Sequence, residues 1–140
     1  MQITSERDIA ASVDRVWQLT IDIERWPTLT PTVTSVERLD DGPLHVGSAA
    51  RVVQPRQRPT VWTVTTFDEG KVFEWKAKML SVTMTGTHRL EATADGCHNT
   101  LMIGLSGFGS SVLGRMVGRQ IKTAIDTEND GFKKAAETAA

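Results

Sequence analysis

Between residues 32 and 107 the chain carries six strand-like runs with no room between them for a crossover. They lie at about 32–40, 46–54, 60–68, 71–79, 81–94 and 97–107. The separators are Asp41-Gly42-Pro43, the PRQRP stretch at 55–59, Glu69-Gly70, Met79–Ser81 and Asp95-Gly96. A parallel connection needs a dozen or more residues, so gaps this short join antiparallel neighbours. Within 71–79, Phe73, Trp75, Ala77 and Met79 share one face while Glu74, Lys76 and Lys78 share the other. That is a strand of a meander with one wet side. Within 81–94, Val82, Met84, Gly86, His88 and Leu90 make an apolar row. They stand opposite Ser81, Thr83, Thr85, Thr87, Arg89 and Glu91. The period-2 alternation again marks a strand with one buried face.

Helical patterns bracket these runs. Residues 2 to 10 can form a first strand, after which Ser12 suits an N-cap and Asp14 the first turn, where the helix dipole favours an anion. Val13, Val16, Trp17 and Ile21 then recur at helical spacing. A second short turn, Asp22 to Trp26, is expected to stop before Pro27, which disfavours helix in the residue preceding it. From about Ser110 a long helix sets Leu113, Val117, Ile121, Ala124, Ile125 and Phe132 on one stripe, opposite Arg115, Arg119, Lys122 and Lys133. A sheet and a helix that each have one apolar face must cover each other. The expectation is an α+β fold: six or seven antiparallel strands, two short helices after the first, and a long C-terminal helix laid across the sheet.

At 140 residues the chain is expected to form one domain, 1–140, large enough for a substantial core. A net charge of −1 argues against a nucleic-acid partner, which would demand a basic excess. No apolar run approaches the ~20 residues of a membrane span. The opening MQITSERDIAASVDRVW lacks a basic region followed by an apolar block. A single cysteine, Cys97, cannot form an internal disulfide, so a cytoplasmic protein is expected.

Several stretches carry a resemblance. "ASVDRVWQLTIDIERWPTLTPTV", "VGSAARVVQP", "FEWKAK", "GTHRLEATADGCHNTLMIGLSG" and the closing helix together resemble the polyketide cyclase/dehydrase and lipid-transport family, part of the START/Bet v 1-like (SRPBCC) superfamily. The likeness runs over essentially the whole chain, with the elements in the family's order. It implies a helix-grip fold, in which a curved sheet wraps the C-terminal helix around a cavity for a hydrophobic small molecule. Carriers, sensors and cyclases or dehydratases share that fold, so the resemblance speaks to architecture more than to activity.

His88 is the polar exception in its row. It could hydrogen-bond a ligand carbonyl or act as a base. A threonine or a backbone carbonyl could equally satisfy it. Trp62, Phe73, Trp75, Met79 and Met84 on the strands, with Leu113, Met116, Val117 and Ile121 on the helix, could line a pliable apolar pocket or simply be core. Arg51, Arg56 and Arg58 read as a solvated hairpin, with the face of Arg51 open. "GLSGFGSSVLGRMVGRQ" nearly matches two nucleotide-binding patterns. However, Val112 stands where the third glycine belongs and Arg115-Met116 where Lys-Ser/Thr is required. Its glycines suit a tight turn from strand into helix. His45, His88 and His98 are scattered, with His45 and His98 in or beside predicted turns, so no metal or other cofactor is implied. Tyrosine, a common proton donor, is absent.

Three functions fit these residues. The first is a carrier or sensor for a small hydrophobic or aromatic molecule, with no assigned catalytic residue. The second is a polyketide cyclase, aromatase or dehydratase in which His88 moves a proton. The third is a partner-binding module, which would fill its interior and expose an apolar patch instead.

Overall fold

The computed structural model describes residues 1–138. Strand β1 (Gln2–Ile9) leads through helix α1 (Val13–Ile21), a 3-10 turn (Ile23–Arg25) and helix α2 (Trp26–Leu29) into six further strands. These are β2 (Ser35–Arg38), β3 (Ala49–Val53), β4 (Thr60–Asp68), β5 (Val72–Met79), β6 (Val82–Thr93) and β7 (Gly96–Gly107). Helix α3 (Ser110–Thr138) closes the described chain. The sheet order is β1-β7-β6-β5-β4-β3-β2 and every pair is antiparallel, so β1 crosses over to pair with β7. A register shift between Val64 and Thr66 breaks the β4–β5 ladder, and such a bulge bends a sheet. The result is the expected seven-stranded grip around a long helix.

Local chemistry accounts for most boundaries. Ser12 accepts a bond from the Arg15 amide at 3.1 Å and caps α1, which buries Val16, Trp17 and Thr20. Pro27 corrects the sequence expectation: it starts α2 rather than ending a turn before it. The first turn of a helix has no partner for that amide, so proline costs nothing there. The run expected at 32–40 narrows to Ser35–Arg38, and Thr30 and Thr32 bond each other at 2.8 Å in the segment before it. Gly107 and Gly109, with φ of 101° and 84°, make the turn from β7 into α3.

The two halves of α3 are held differently. Its C-terminal half is fastened to β1 and β7 by a buried polar knot. The Asn99 amide donates to Asn129 Oδ1 at 2.8 Å, and Asn129 Nδ2 lies 3.1 Å from the Ser5 carbonyl and 3.3 Å from that of Asn99. Lys122 and Lys133 donate to the carbonyls of Thr4 and Asp8, and Arg7 pairs with Asp130 at 2.7 Å. Gly131 lies against α2 so closely that a Cβ there would sit 2.3 Å from the Leu29 carbonyl oxygen. The half from Leu113 to Ile121 contributes none of these bonds and spans the trough instead.

Candidate functional site

Beneath that spanning half lies a partly open cavity of about 460 Å³. Its floor comes from the inner rows of β4 to β7: Trp62, Trp75, Met84, His88, Leu101 and Leu105. Its roof is Leu113, Val117, Ile121, Ala124 and Ile125 of α3. One end is closed by Trp26, brought in by α2. At the other end Gln57, Met79 and Gln120 border the cavity and are also exposed, which marks the mouth. Gly86 makes room on the floor. A Cβ there would lie 3.1 Å from the Trp75 indole and 3.5 Å from that of Trp62, so its absence lets both rings lie against the sheet.

The closed end is aromatic. Trp26 stands edge-on to Trp75 at 5.4 Å and overlies His88 at 5.2 Å, and Phe132 meets His88 at 5.9 Å. The Trp26 indole N–H is satisfied by the Thr20 carbonyl at 3.2 Å, which fixes the ring. His88 has no hydrogen-bond partner among the described residues, and its Nδ1 is buried with none. Burial pushes this imidazole down to about 4, so it is neutral at ordinary pH. A neutral imidazole carries one N–H donor and one bare acceptor nitrogen, and no described residue pairs with either. The partners that the sequence suggested, a threonine or a backbone carbonyl, do not satisfy His88.

A second ionisable group shares the cavity. Glu128 stands on α3 one turn before Phe132, and it lines the same cavity as His88. Burial pushes the Glu128 carboxyl up to about 7, while a hydrogen bond from the Thr32 side chain opposes the shift. The residue is half-buried, and part of its surface borders the void. The sequence reading missed Glu128 because "IDTENDG" looks like a solvated acidic run. Its helical phase, seven residues from Ile121 and four from Phe132, was the available signal.

The structure places Trp62, Trp75, Met79, Met84, His88, Leu113, Val117 and Ile121 on the cavity wall. It places two of the proposed residues elsewhere. Phe73 is fully buried in the solid core, packed against Phe67 at 6.5 Å and His88 at 5.6 Å. It shares a face with Trp75 but lies further along β5, past the end of the void. Met116 is 69% exposed on the outer flank of α3, near the exposed Val112. Arg51 faces outward and pairs with Glu37 at 2.6 Å, and Arg56 and Arg58 are exposed. His98 lies within β7 rather than at a turn, its two nitrogens 2.7 and 3.0 Å from Asp8 and Glu6, contacts that raise it above the ordinary histidine value. Thr87, on the outer row, is nevertheless buried, and its hydroxyl donates to Glu74 at 2.8 Å. Among the described residues no cluster of His, Cys, Asp and Glu has metal-site geometry, and no helix is long and apolar enough to cross a membrane.

The family model described as polyketide cyclase / dehydrase and lipid transport matches residues 1–137. No curated protein matches the sequence. Similar solved structures include TTHA0849 from Thermus thermophilus, at 16% identity and TM-score 0.77, with 97% of each chain covered. Ara h 8.0201 is 14% identical with TM-score 0.78, covering 99% of each chain. The di-domain ARO/CYC StfQ of the steffimycin biosynthetic pathway is 15% identical with TM-score 0.77. There the match covers 97% of this chain and 50% of that one. Likeness at such identities concerns the fold.

Proposed function

The chain belongs to the polyketide cyclase / dehydrase and lipid transport family, and on that footing we propose that it binds one small hydrophobic or aromatic molecule between sheet and α3, as a carrier or sensor. The observation that carries this reading is the void itself. An interior that normally packs as densely as an organic crystal is here left open over about 460 Å³, within the range of ligand pockets. Its walls are indole, thioether and aliphatic surface. A guest burying ~12 methylenes gains ~10 kcal/mol gross. The costs of association leave micromolar affinity. Residues 1–140 act in this reading as one cytoplasmic ligand-binding domain.

Native mass spectrometry of the protein as purified, followed by organic extraction, tests the proposal. A stoichiometric copurifying apolar molecule supports it. Neither a bound species nor saturable uptake from a hydrophobic library would defeat it.

One observation favours an enzymatic second reading, with a changed lead residue. A base held near 4 is poorly matched to taking protons at neutral pH, whereas a carboxyl near 7 is well matched. If the cavity folds a polyketide-like chain for cyclisation or dehydration, Glu128 moves the proton and His88 orients a carbonyl. Turnover would then show a pH limb near 7 that vanishes in Glu128→Gln. A Glu128→Gln variant with full turnover would remove this reading.

A further inference from the structure

The cavity carries a charge asymmetry. Its titratable groups are Glu128 from α3 and His88 from β6, and the other polar residues that border it are Gln54, Gln57, Gln120 and Thr87, whose hydroxyl is given to Glu74. Among the described residues no lysine, arginine or aspartate borders it. The cations on neighbouring elements are turned elsewhere. Lys122 is bound to Thr4 and Asp126, Arg51 to Glu37, and Arg56, Arg58, Arg115 and Arg119 are exposed. A carboxyl group whose one bond comes from the neutral Thr32 side chain therefore borders a largely apolar void with no counter-ion among the described residues, and an imidazole without a partner lines the same void.

We infer that the cavity selects its guest by charge: the ligand bears a neutral or ammonium polar end (a hydroxyl, a carbonyl or an amine) seated between Glu128 and His88, and carboxylates and phosphate esters are excluded. This rests on the cavity being the binding site. An entering anion would exchange water for a low-dielectric space whose nearest ionisable neighbour is another carboxyl. A neutral end meets a different setting. The neutral His88 ring can donate through its N–H to a carbonyl or hydroxyl oxygen or accept at its bare nitrogen, and the Glu128 carboxyl can donate or accept according to its protonation. An ammonium would pair with the Glu128 carboxylate beside the indole faces of Trp26 and Trp75, which attract cations. The raised titration range of Glu128 is what burial without a counter-ion produces, and it makes the selectivity pH-dependent.

Three matched probes test this: naphthalene-methanol, naphthylmethylamine and naphthoate, titrated calorimetrically at about pH 5.5 and about pH 8, where the last two keep a fixed charge while Glu128 changes its own. The alcohol binds equally at both pH values. The amine binds at least ~10-fold tighter at the higher pH, and naphthoate at least ~10-fold weaker than the alcohol there, with partial recovery at the lower pH. The native protein suffices for this comparison. Glu128→Gln adds a control in which both pH dependences disappear. His88 titrates below this window, and His98, which titrates above the ordinary histidine value, lies on the opposite face of the sheet. Naphthoate binding as tightly as the alcohol at the higher pH overturns the charge selection while leaving the cavity as a binding site. Failure of all three probes overturns the binding site itself, and the selection with it.

Discussion

Glu128→Gln should change how stability depends on pH, by an amount that follows from the cavity. The carboxyl titrates at about 7 in the folded chain against an ordinary 4.5. Because the folded value is raised, the folded state holds this proton more tightly than the unfolded one. The associated stability is fully present below about pH 4.5 and is lost as pH rises through about 7. At 1.36 kcal/mol per pH unit the loss is about 3 kcal/mol at most. His88 runs the other way. Its folded value is depressed, so its contribution is present above about 6.5 and lost as pH falls through about 4. Between about pH 4.5 and 6.5 the two slopes oppose each other, and the native protein conceals both. Glutamine keeps the shape and removes one slope. Urea unfolding of native and variant proteins across about pH 4 to 8 supplies the difference, in which the pairs common to both proteins, such as those of Asp40, Asp126 and Glu137, cancel. The variant should gain about 2–3 kcal/mol relative to the native chain from the acid end to the neutral end. A difference that stays flat within about 0.5 kcal/mol would show that Glu128 is not buried as described.

Other outcomes follow from the same geometry. His88→Leu should show the mirror image, gaining stability on the native protein as pH falls from about 6.5 to about 4, and should lie within about 1 kcal/mol of it at neutral pH, because the ring lost has no partner to orphan; chemical unfolding at both pH values checks this. Asn129→Ala should cost about 3 kcal/mol by stranding Asn99 and Ser5 at the α3 anchor, read as a lowered urea midpoint. Gly131→Ala would drive a methyl into the Leu29 carbonyl. It should lower the melting temperature and red-shift the emission of Trp26 as α2 is pushed off α3.

Much of the fold was legible because the chain writes its sheet in period 2 and its final helix in period 3.6. The turn pairs Glu69-Gly70 and Asp95-Gly96 fall where two of the hairpins are. Pro27 misled because the rule for the residue before a proline competes with the tolerance of proline in a first turn, and which one wins depends on where the helix starts. Which residues meet the cavity was less legible. Face is encoded locally, whereas position along the strand relative to the covering helices is not, so Phe73 and Trp75 looked equivalent. Met116 lies three residues from Leu113, yet it rotates off the stripe to the outer flank. Glu128 was hidden between Asp126 and Asp130, since composition says solvent and only helical phase says interior.

The central claim is that the trough beneath α3 is hollow and accepts a guest. A fluorescence titration with the uncharged probe N-phenyl-naphthylamine, on the native protein and on Ala124→Trp, tests it most directly, since Ala124 lies on the cavity roof and an indole there would occupy the void. The account predicts saturable one-to-one binding near micromolar affinity in the native protein, and loss of that binding in a variant that remains folded. Binding that is absent in the native protein, or unchanged in Ala124→Trp, would contradict it.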